Sequence, residues 1–250
     1  MGRIRLDVLL TDKGLVASRS RARSTILSGN VLVNDVPVDK AGASVDEDAD
    51  IRIRGTDHPY VSRGGVKLKC ALDAFRVSPE GLTVLDVGAS TGGFTDCCLK
   101  LAASHVIAVD VGYGQLHWSL RRDPRVTVIE RTNARYLKPD DIETTVDLAV
   151  IDVSFISLEK ILPAVSPLVA PSGCIIALVK PQFEAGRELV SKGGVVKDRK
   201  TRDATVAKVI AAAEELRLDF IDSAESVLPG PKGNIETFIY LVKPEQGQQA

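Results

Sequence analysis

From residue 82 onward, short apolar runs alternate with longer stretches in which apolar residues recur at helical spacing. The runs have the length and the branched aliphatic content of buried strands. Regular alternation of such strands with helices predicts a mostly parallel sheet that has helices on both faces. The predicted strands are LTVLDV (82–87), VIAVDV (106–111), RVTVIE (125–130), VDLAVIDV (146–153), CIIALVK (174–180), LDFIDSAESV (218–227) and ETFIYLV (236–242).

The first 55 residues follow a different pattern. Leu6, Leu9 and Leu10 lie at helical spacing before Gly14, and Ser18 is a typical N-cap for a second helix that ends at Gly29. Three short alternating strands follow, in which an Asn-Asp turn separates the first two. Their apolar positions are Val31 and Val33, Val36 and Val38, and Ile51 and Ile53. This pattern predicts a compact unit of two helices and a small sheet.

The two patterns meet at GTDHPYVS (55–62), which contains a glycine and a proline and has no helical periodicity. We therefore predict domains at 1–55 and 63–250, joined by a linker at 56–62. The second domain opens with a predicted helix at 63–75. Its clearest amphipathic helix is VAKVIAAAEELRL (206–218), whose alanine and valine face we expect to pack on the sheet.

Composition narrows the class of protein. The 250 residues are 44% hydrophobic and 26% charged, which is typical of a soluble globular chain. The net charge of -1 points to neither nucleic acid nor membrane, but residues 1–30 carry six basic side chains against two acidic ones. The four cysteines have no metal-like spacing, so no metal is expected. No secretory leader or membrane-spanning run is apparent, and we expect a cytoplasmic protein.

A glycine loop follows the first predicted strand, in VLDVGASTGGFTD (84–96). Glycines let a ligand approach the backbone, and the helix that follows offers unpaired amide groups. Asp110 ends the second strand about 20 residues beyond the glycines, where an acid can hold two ribose hydroxyls. The loop lacks the GxGxxG spacing of NAD-binding proteins, and no second nucleotide-binding half follows. The pattern therefore favours S-adenosyl-L-methionine over NAD.

Four charged residues form a second candidate constellation. Lys67 lies on the helix before the first strand, whereas Asp152, Lys180 and Glu236 lie at strand ends. Ligands of open parallel sheets bind beyond the carboxyl ends of the strands, so we expect these side chains to share a crevice with the glycine loop. A lysine that follows a buried strand is poorly solvated, which favours its neutral form and makes it a possible general base. A structural ion pair is the alternative interpretation.

The motifs together resemble the TlyA family. Residues 5–38, RLDVLLTDKGLVASRSRARSTILSGNVLVNDVPV, look like an S4 RNA-binding domain. The later motifs resemble FtsJ-type ribose methyltransferases. These motifs are SRGGVKL (62–68), LDVGASTGGF (85–94), VIDVSFISL (150–158), LVKPQFE (178–184) and GNIETF (233–238). The resemblance implies a seven-stranded, mostly parallel, Rossmann-like class I methyltransferase sheet, preceded by a small α+β S4-like domain.

The resemblance also implies an activity and residue roles. TlyA proteins transfer a methyl group from S-adenosyl-L-methionine to cytidine 2′-hydroxyls of ribosomal RNA, in 16S and/or 23S RNA. The implied catalytic set is Lys67, Asp152, Lys180 and Glu236. The implied cofactor contacts are Gly88, Ser90, Gly92, Phe94, Asp110, Asn133 and Asp152, although FtsJ-type enzymes usually carry a tryptophan at Phe94 and an acid at Asn133. The resemblance to S4 domains also supports RNA contacts that we assign from local charge, with Arg63 and Lys69 extending the basic surface: Arg3, Arg5, Arg19, Arg21, Arg23, Arg63 and Lys69.

Three other functions remain open at this point. A membrane-active hemolysin, a name often given to this family, needs an exposed amphipathic or spanning apolar element, whereas the best helix, at 206–218, is expected to pack on the sheet. A noncatalytic ribosome-binding factor could lose members of the lysine and carboxylate set, yet all four residue types are present. An NAD-dependent oxidoreductase is disfavoured by the glycine spacing. For the methyltransferase and for the ribosome-binding factor, the expected partner is ribosomal RNA within the ribosomal subunits.

Overall fold

The structure is a computed structural model that describes residues 2–16, 18–53, 58–230 and 232–245. The chain forms two compact units, residues 1–59 and residues 60–250. Residues 55–57, where the predicted junction begins, lie outside the described residues. The domain boundaries drawn from the sequence stay a prediction.

The first unit contains the two predicted helices and the small predicted sheet. Ser18 caps the second helix, because its side chain accepts a hydrogen bond from the Arg21 amide at 3.2 Å. Asn34 and Asp35 both have positive φ, as a two-residue hairpin turn requires. A further strand pair, β1 with β4, was not predicted. The elements are β1 (Arg3–Arg5), α1 (Leu6–Asp12), α2 (Arg19–Leu27), β2 (Val31–Val33), β3 (Val36–Pro37), β4 (Ser44–Asp46) and β5 (Ile51–Ile53).

The second unit alternates strands with helices, as predicted. Its elements are α3 (Arg63–Phe75), β6 (Thr83–Val87), α4 (Gly93–Lys100), β7 (His105–Val109), α5 (Trp118–Arg121), β8 (Val126–Ile129), α6 (Pro139–Ile142), β9 (Val146–Ile151), α7 (Leu162–Val165), β10 (Val169–Val179), α8 (Pro181–Glu184), α9 (Arg199–Glu215), β11 (Asp219–Glu225) and β12 (Thr237–Val242). Short 3₁₀ turns occur at Ala134–Tyr136, Leu158–Lys160, Ser166–Leu168 and Arg187–Leu189.

The seven strands of this unit form one sheet in the order β11-β12-β10-β9-β6-β7-β8. Strands β8, β7, β6, β9 and β10 are parallel, while β12 pairs antiparallel with both β10 and β11. The predicted mostly parallel, seven-stranded sheet is thus confirmed. The chain moves outward in one direction from β6 and in the other from β9. The switch point of the topology therefore lies between these two strands, where such sheets bind ligands.

Successive residues of the parallel strands face two separate apolar layers, one on each side of the sheet. Leu85 and Val87 of β6 belong to one buried cluster, and Val84 belongs to the other. Helix α9 covers the first layer through Val209 and Ala213, and α3 and α4 cover the second. Burial on both faces explains why the strands are continuous apolar runs rather than alternating ones.

The prediction for helix α9 was wrong in its bounds, since the helix spans Arg199–Glu215 rather than 206–218. The Asp198 side chain accepts a hydrogen bond from the Thr201 amide at 2.8 Å and so caps a first turn that is polar and lacks apolar periodicity. At the other end, Arg217 has positive φ, which ends the helix before the apolar pattern stops. Among the described residues, no helix is long and apolar enough to cross a membrane.

Candidate active site

The glycine loop lies at the switch point, between the end of β6 and the start of α4. Gly88 and Gly92 have φ values of 86° and 93°, and Ser90 between them has a φ of 48°. A Cβ added to Gly88 would lie only 2.5 Å from the main-chain oxygen of Asp152. The fold itself therefore requires glycine at this position, because the loop after β6 packs directly against the end of β9.

Asp110 ties this loop to the end of β7. One carboxylate oxygen accepts the Ser90 amide at 2.7 Å, and the other accepts the Gly112 amide at 2.6 Å. Each carboxylate oxygen has further lone pairs, so these bonds hold the acid in place and leave it able to accept from a ligand. Val111, the next residue, is exposed, and it offers an apolar surface beside the carboxylate.

Asp86, a residue that sequence reasoning did not select, lies fully buried on β6 beneath the loop. Its Oδ2 accepts from the Thr95 amide at 2.9 Å and from the Thr95 hydroxyl at 2.6 Å. Its Oδ1 has no hydrogen-bond partner among the described residues. Burial raises the pKa of Asp86 to about 7, and the nearby Asp152 adds to the effect, although the Thr95 bonds oppose it.

The two positions that depart from FtsJ-type enzymes both make structural contacts. Phe94 is buried on α4, and its ring centroid lies 6.1 Å from that of Phe238. The Asn133 side chain accepts from the Arg135 amide at 3.0 Å and caps the 3₁₀ turn after β8. Cofactor contacts by these two residues stay predictions.

The four charged residues lie together as two ion pairs. Lys180 follows β10 directly, and its Nζ lies 2.6 Å from Oδ1 of Asp152 and 2.9 Å from the Ser154 hydroxyl. Lys67 reaches from α3 to Glu236, where Nζ and Oε2 are 2.5 Å apart. This second pair is almost fully buried, with side-chain exposures of 10% and 1%.

Strand register explains why the pairs are neighbours. Val179 is opposite Thr237 in the antiparallel pair of β10 and β12, so Lys180 and Glu236 extend the same register by one residue. Because β12 runs antiparallel, its first residues lie at the edge where the parallel strands end. The edge that carries Gly88 and Asp110 thus also carries the four charged residues, Lys67, Asp152, Lys180 and Glu236.

Both carboxylates keep acceptor capacity. Asp152 Oδ1 contacts Lys180 without hydrogen-bond geometry, and Glu236 Oε1 has no partner among the described residues. Buried polar oxygens without partners are rare in folded proteins. These oxygens lie at the edge of the sheet that also carries the glycine loop and Asp110. They are suited to accept hydrogen bonds from a ligand.

Ser154 and Phe155 are two further residues beside the candidate site that the sequence motifs did not single out. Sequence spacing gives no reason to select Ser154, yet its hydroxyl accepts a hydrogen bond from Lys180. Phe155 has positive φ and a side chain that is 91% exposed, and its ring centroid lies 5.1 Å from that of Phe183. Both residues belong to the motif VIDVSFISL, which was the available signal. An exposed aromatic in strained backbone beside a site is typical of a ligand contact.

The arginines of the first unit that we predict to contact RNA differ in how many bonds they form within the protein. Arg5 donates two hydrogen bonds to the buried Asp7, whose pKa falls because of that bond, and Arg19 lies 3.5 Å from the same carboxylate. Arg3 donates to the Ser44 carbonyl at 2.7 Å, and Arg21 donates to the His58 carbonyl at 3.1 Å. The remaining predicted contact of this unit, Arg23, is exposed on α2.

The two basic residues predicted on α3 belong to the second unit. Arg63 donates to the Pro229 carbonyl at 3.0 Å, which ties the start of α3 to the loop before β12. Lys69 forms an exposed i,i+4 ion pair with Asp73 at 2.5 Å. Contact of either residue with RNA stays a prediction.

Comparisons with known proteins agree with this geometry. The family model for FtsJ-like methyltransferases matches residues 60–243, and the model for the S4 domain matches residues 4–51. The chain is 46% identical over 240 residues to the 16S/23S rRNA (cytidine-2′-O)-methyltransferase TlyA of Mycobacterium tuberculosis, which covers 96% of this chain and 90% of that protein. The protein belongs to the TlyA family of FtsJ-like methyltransferases.

Two further matches extend the TlyA likeness to the whole chain. YqxC of Bacillus subtilis is 45% identical over 246 residues, covering 98% of this chain and 88% of that protein. A solved structure of a hemolysin-named protein from Streptococcus thermophilus has a TM-score of 0.77 and 40% identity, and it covers 99% of this chain and 92% of that one. The predicted family and its order of domains, S4 before methyltransferase, are confirmed.

Proposed function

We propose that this protein transfers a methyl group from S-adenosyl-L-methionine to a cytidine ribose 2′-hydroxyl of 16S and/or 23S ribosomal RNA. The observation that carries the proposal is the Lys180 and Asp152 pair beside the glycine loop and Asp110, at the switch point of the sheet. The name of the Mycobacterium tuberculosis relative supports the reaction and the substrate.

The residues at the switch point fit S-adenosyl-L-methionine. Asp110 is held by hydrogen bonds from two backbone amides, at the position where an acid can accept hydrogen bonds from ribose hydroxyls. Val111 offers an apolar contact for the adenine, and the Asp152 carboxylate, beside Lys180, would accept from the ammonium of the methionine part. The bound cofactor supplies an electrophilic methyl group on a positively charged sulfur. Loop contacts at Gly88, Ser90 and Gly92 belong to the same proposal.

Lys180 is the proposed general base. In its neutral form, its Nζ accepts the proton of the ribose 2′-hydroxyl, so that the oxygen can act as the nucleophile. Asp152 and Ser154 hold the amine in position and stabilise the ammonium that results. Lys67, from α3, and Glu236, just before β12, position the ribose, and Lys67 is the alternative base.

The S4 unit supplies the proposed RNA-binding surface, through Arg3, Arg5, Arg19, Arg21 and Arg23. Cationic side chains of this kind bind phosphates and give register, while structured RNA is recognised largely by its shape. Phe155 suits the target nucleotide, because unstacked RNA bases commonly stack on exposed aromatic side chains. Its exposed ring lies one residue from Ser154.

Replacing Phe155 by alanine is therefore expected to lower kcat/KM for RNA by about fivefold to a hundredfold, from a stacking contribution of about 1–3 kcal/mol per base. Cofactor affinity should not change. The matched control is Phe220→Ala, which removes an aromatic ring from β11 at the opposite edge of the sheet. Equal losses in the two variants, or no loss in Phe155→Ala, would contradict the role.

The proposed function is tested by incubating the full-length protein with labelled S-adenosyl-L-methionine and purified 30S subunits, 50S subunits and protein-free 16S and 23S RNA. We expect label in a cytidine that nuclease digestion releases as a 2′-O-methylated nucleoside. Cofactor binding is measured in parallel. Binding without transfer to any of these substrates would contradict the proposal and favour a noncatalytic ribosome-binding factor.

A further inference from the structure

A second basic region lies in the catalytic unit, at residues 191–202, with the sequence SKGGVVKDRKTR. We call these twelve residues the basic segment. They run from just after the 3₁₀ turn at Arg187–Leu189 through the first turn of α9. They carry five basic side chains against one acid, a higher density than in residues 1–30. Four of the five are exposed: Lys192, Lys197, Arg199 and Lys200.

This charge is largely unneutralised. The one acid, Asp198, caps α9 by accepting from the amide and the hydroxyl of Thr201, both at 2.8 Å. Arg199 lies 3.6 Å from Asp203 in a highly exposed pair, and such pairs contribute little. Lys192, Lys197 and Lys200 form no ion pair among the described residues. A solvated cluster of this kind attracts polyanions.

Asn234 anchors the basic segment to the active-site edge. Its amide nitrogen donates to the Gly194 carbonyl, and its amide oxygen accepts from the Val196 backbone amide, both at 2.9 Å. Asn234 is only 2% exposed and lies two residues before Glu236. Both polar atoms of a buried side chain are thus used to hold one loop, which fixes that loop beside the site rather than leaving it free.

Two other features bring charge to the same edge. Helix α8 starts directly after Lys180 and packs against α9, whose first turn belongs to the basic segment. The Lys232 ammonium lies over the segment, since a Cβ added to Gly194 would be 3.1 Å from its Nζ. The segment is therefore tied to the chain just before Glu236 and to the helix that follows Lys180, and Lys232 adds a sixth cation to it.

We propose that the basic segment, with Lys232, binds the sugar-phosphate backbone of the RNA next to the target nucleotide. This proposal rests on the proposed function and extends it. The contact would fix the strand at the catalytic unit, while the S4 unit binds elsewhere on the RNA. Two linked contacts raise the effective concentration of the second one. The competing occupant is an acidic protein partner. If such a partner bound this surface instead, removing these cations would leave the affinity for RNA unchanged.

The test compares Lys197→Gln/Lys200→Gln with the control Lys138→Gln/Arg217→Gln, which removes the same charge from the opposite edge of the sheet. Lys138 immediately precedes α6, which leads to the start of β9, and Arg217 precedes the start of β11. Binding of labelled 16S and 23S RNA is measured across a series of KCl concentrations with the full-length protein. Each lost phosphate contact should reduce the salt slope by about 1.

We expect the Lys197 and Lys200 variant to lower the slope by about 2 and to raise KM for RNA with little change in kcat or cofactor affinity. The control should match the native chain. A slope and KM equal to those of the control would overturn the proposal. If the native protein binds RNA with the expected loss in the variant but transfers no methyl group, the surface stands and the proposed function fails.

Discussion

Replacing Lys180 by alanine is expected to abolish methyl transfer and to leave S-adenosyl-L-methionine binding nearly intact. The change removes the amine that contacts Asp152 at 2.6 Å and Ser154 at 2.9 Å, whereas the glycine loop and Asp110 make no contact with it among the hydrogen bonds described. Loss of a general base alone lowers rates by about 10²–10⁴. Single-turnover transfer and equilibrium dialysis of the cofactor measure the two effects separately.

Two companion variants separate the base from the positive charge. Lys180→Arg keeps a cation beside Asp152 but cannot lose its proton, so it should also be inactive if Lys180 is the base. Lys208→Ala removes another lysine that is paired with an acid, at 2.5 Å from Glu159, and should transfer normally. Activity in Lys180→Arg would assign the base to Lys67. Loss of both transfer and cofactor binding in Lys180→Ala would contradict the role altogether.

The sheet could be predicted from the sequence because its strands are buried on both faces and therefore read as apolar runs. Elements without such a signal were missed or misplaced. Strands β1 (RIR) and β4 (SVD) contain a single apolar residue each, Ile4 and Val45, so no alternation is visible in them. Strand β10 begins at Val169, before the predicted start at 174, because it includes a polar bulge. The first turn of α9 is defined by its cap rather than by an apolar face.

The position of the candidate site could also be predicted, since the strand-end rule gathers Asp110, Asp152 and Lys180 at one edge. The partnership of Lys67 with Glu236 could not, because it joins a helix to an antiparallel strand. Ser154 and Asn234 were missed for a related reason. Their contribution lies in bonds to Lys180 and to the basic segment, and no local spacing encodes such contacts.

The Lys67 and Glu236 pair should show the largest effect on stability. Glu236→Gln leaves a buried ammonium without its counter-charge, and Lys67→Met leaves a buried carboxylate. Removing one partner of a buried pair costs about 3–5 kcal/mol, so we expect either single variant to lower the free energy of unfolding by that amount. The double variant, Lys67→Met/Glu236→Gln, buries no charge and should recover most of the lost free energy of unfolding. Urea unfolding of the native chain, the two single variants and the double variant measures this coupling between the two residues.

Methyl transfer by the double variant decides whether this pair also acts on the substrate. If Lys67 and Glu236 position the ribose, stability returns in the double variant while transfer stays at least about a hundredfold below that of the native chain, as misplaced reactants require. Recovery of transfer together with stability would mean that the pair only supports the fold. Rates must be compared at a temperature where every variant is folded. Because the proposed cofactor contacts are Asp110 and the glycine loop at β6 and β7, cofactor binding should survive in the double variant, and its loss would contradict the assignment.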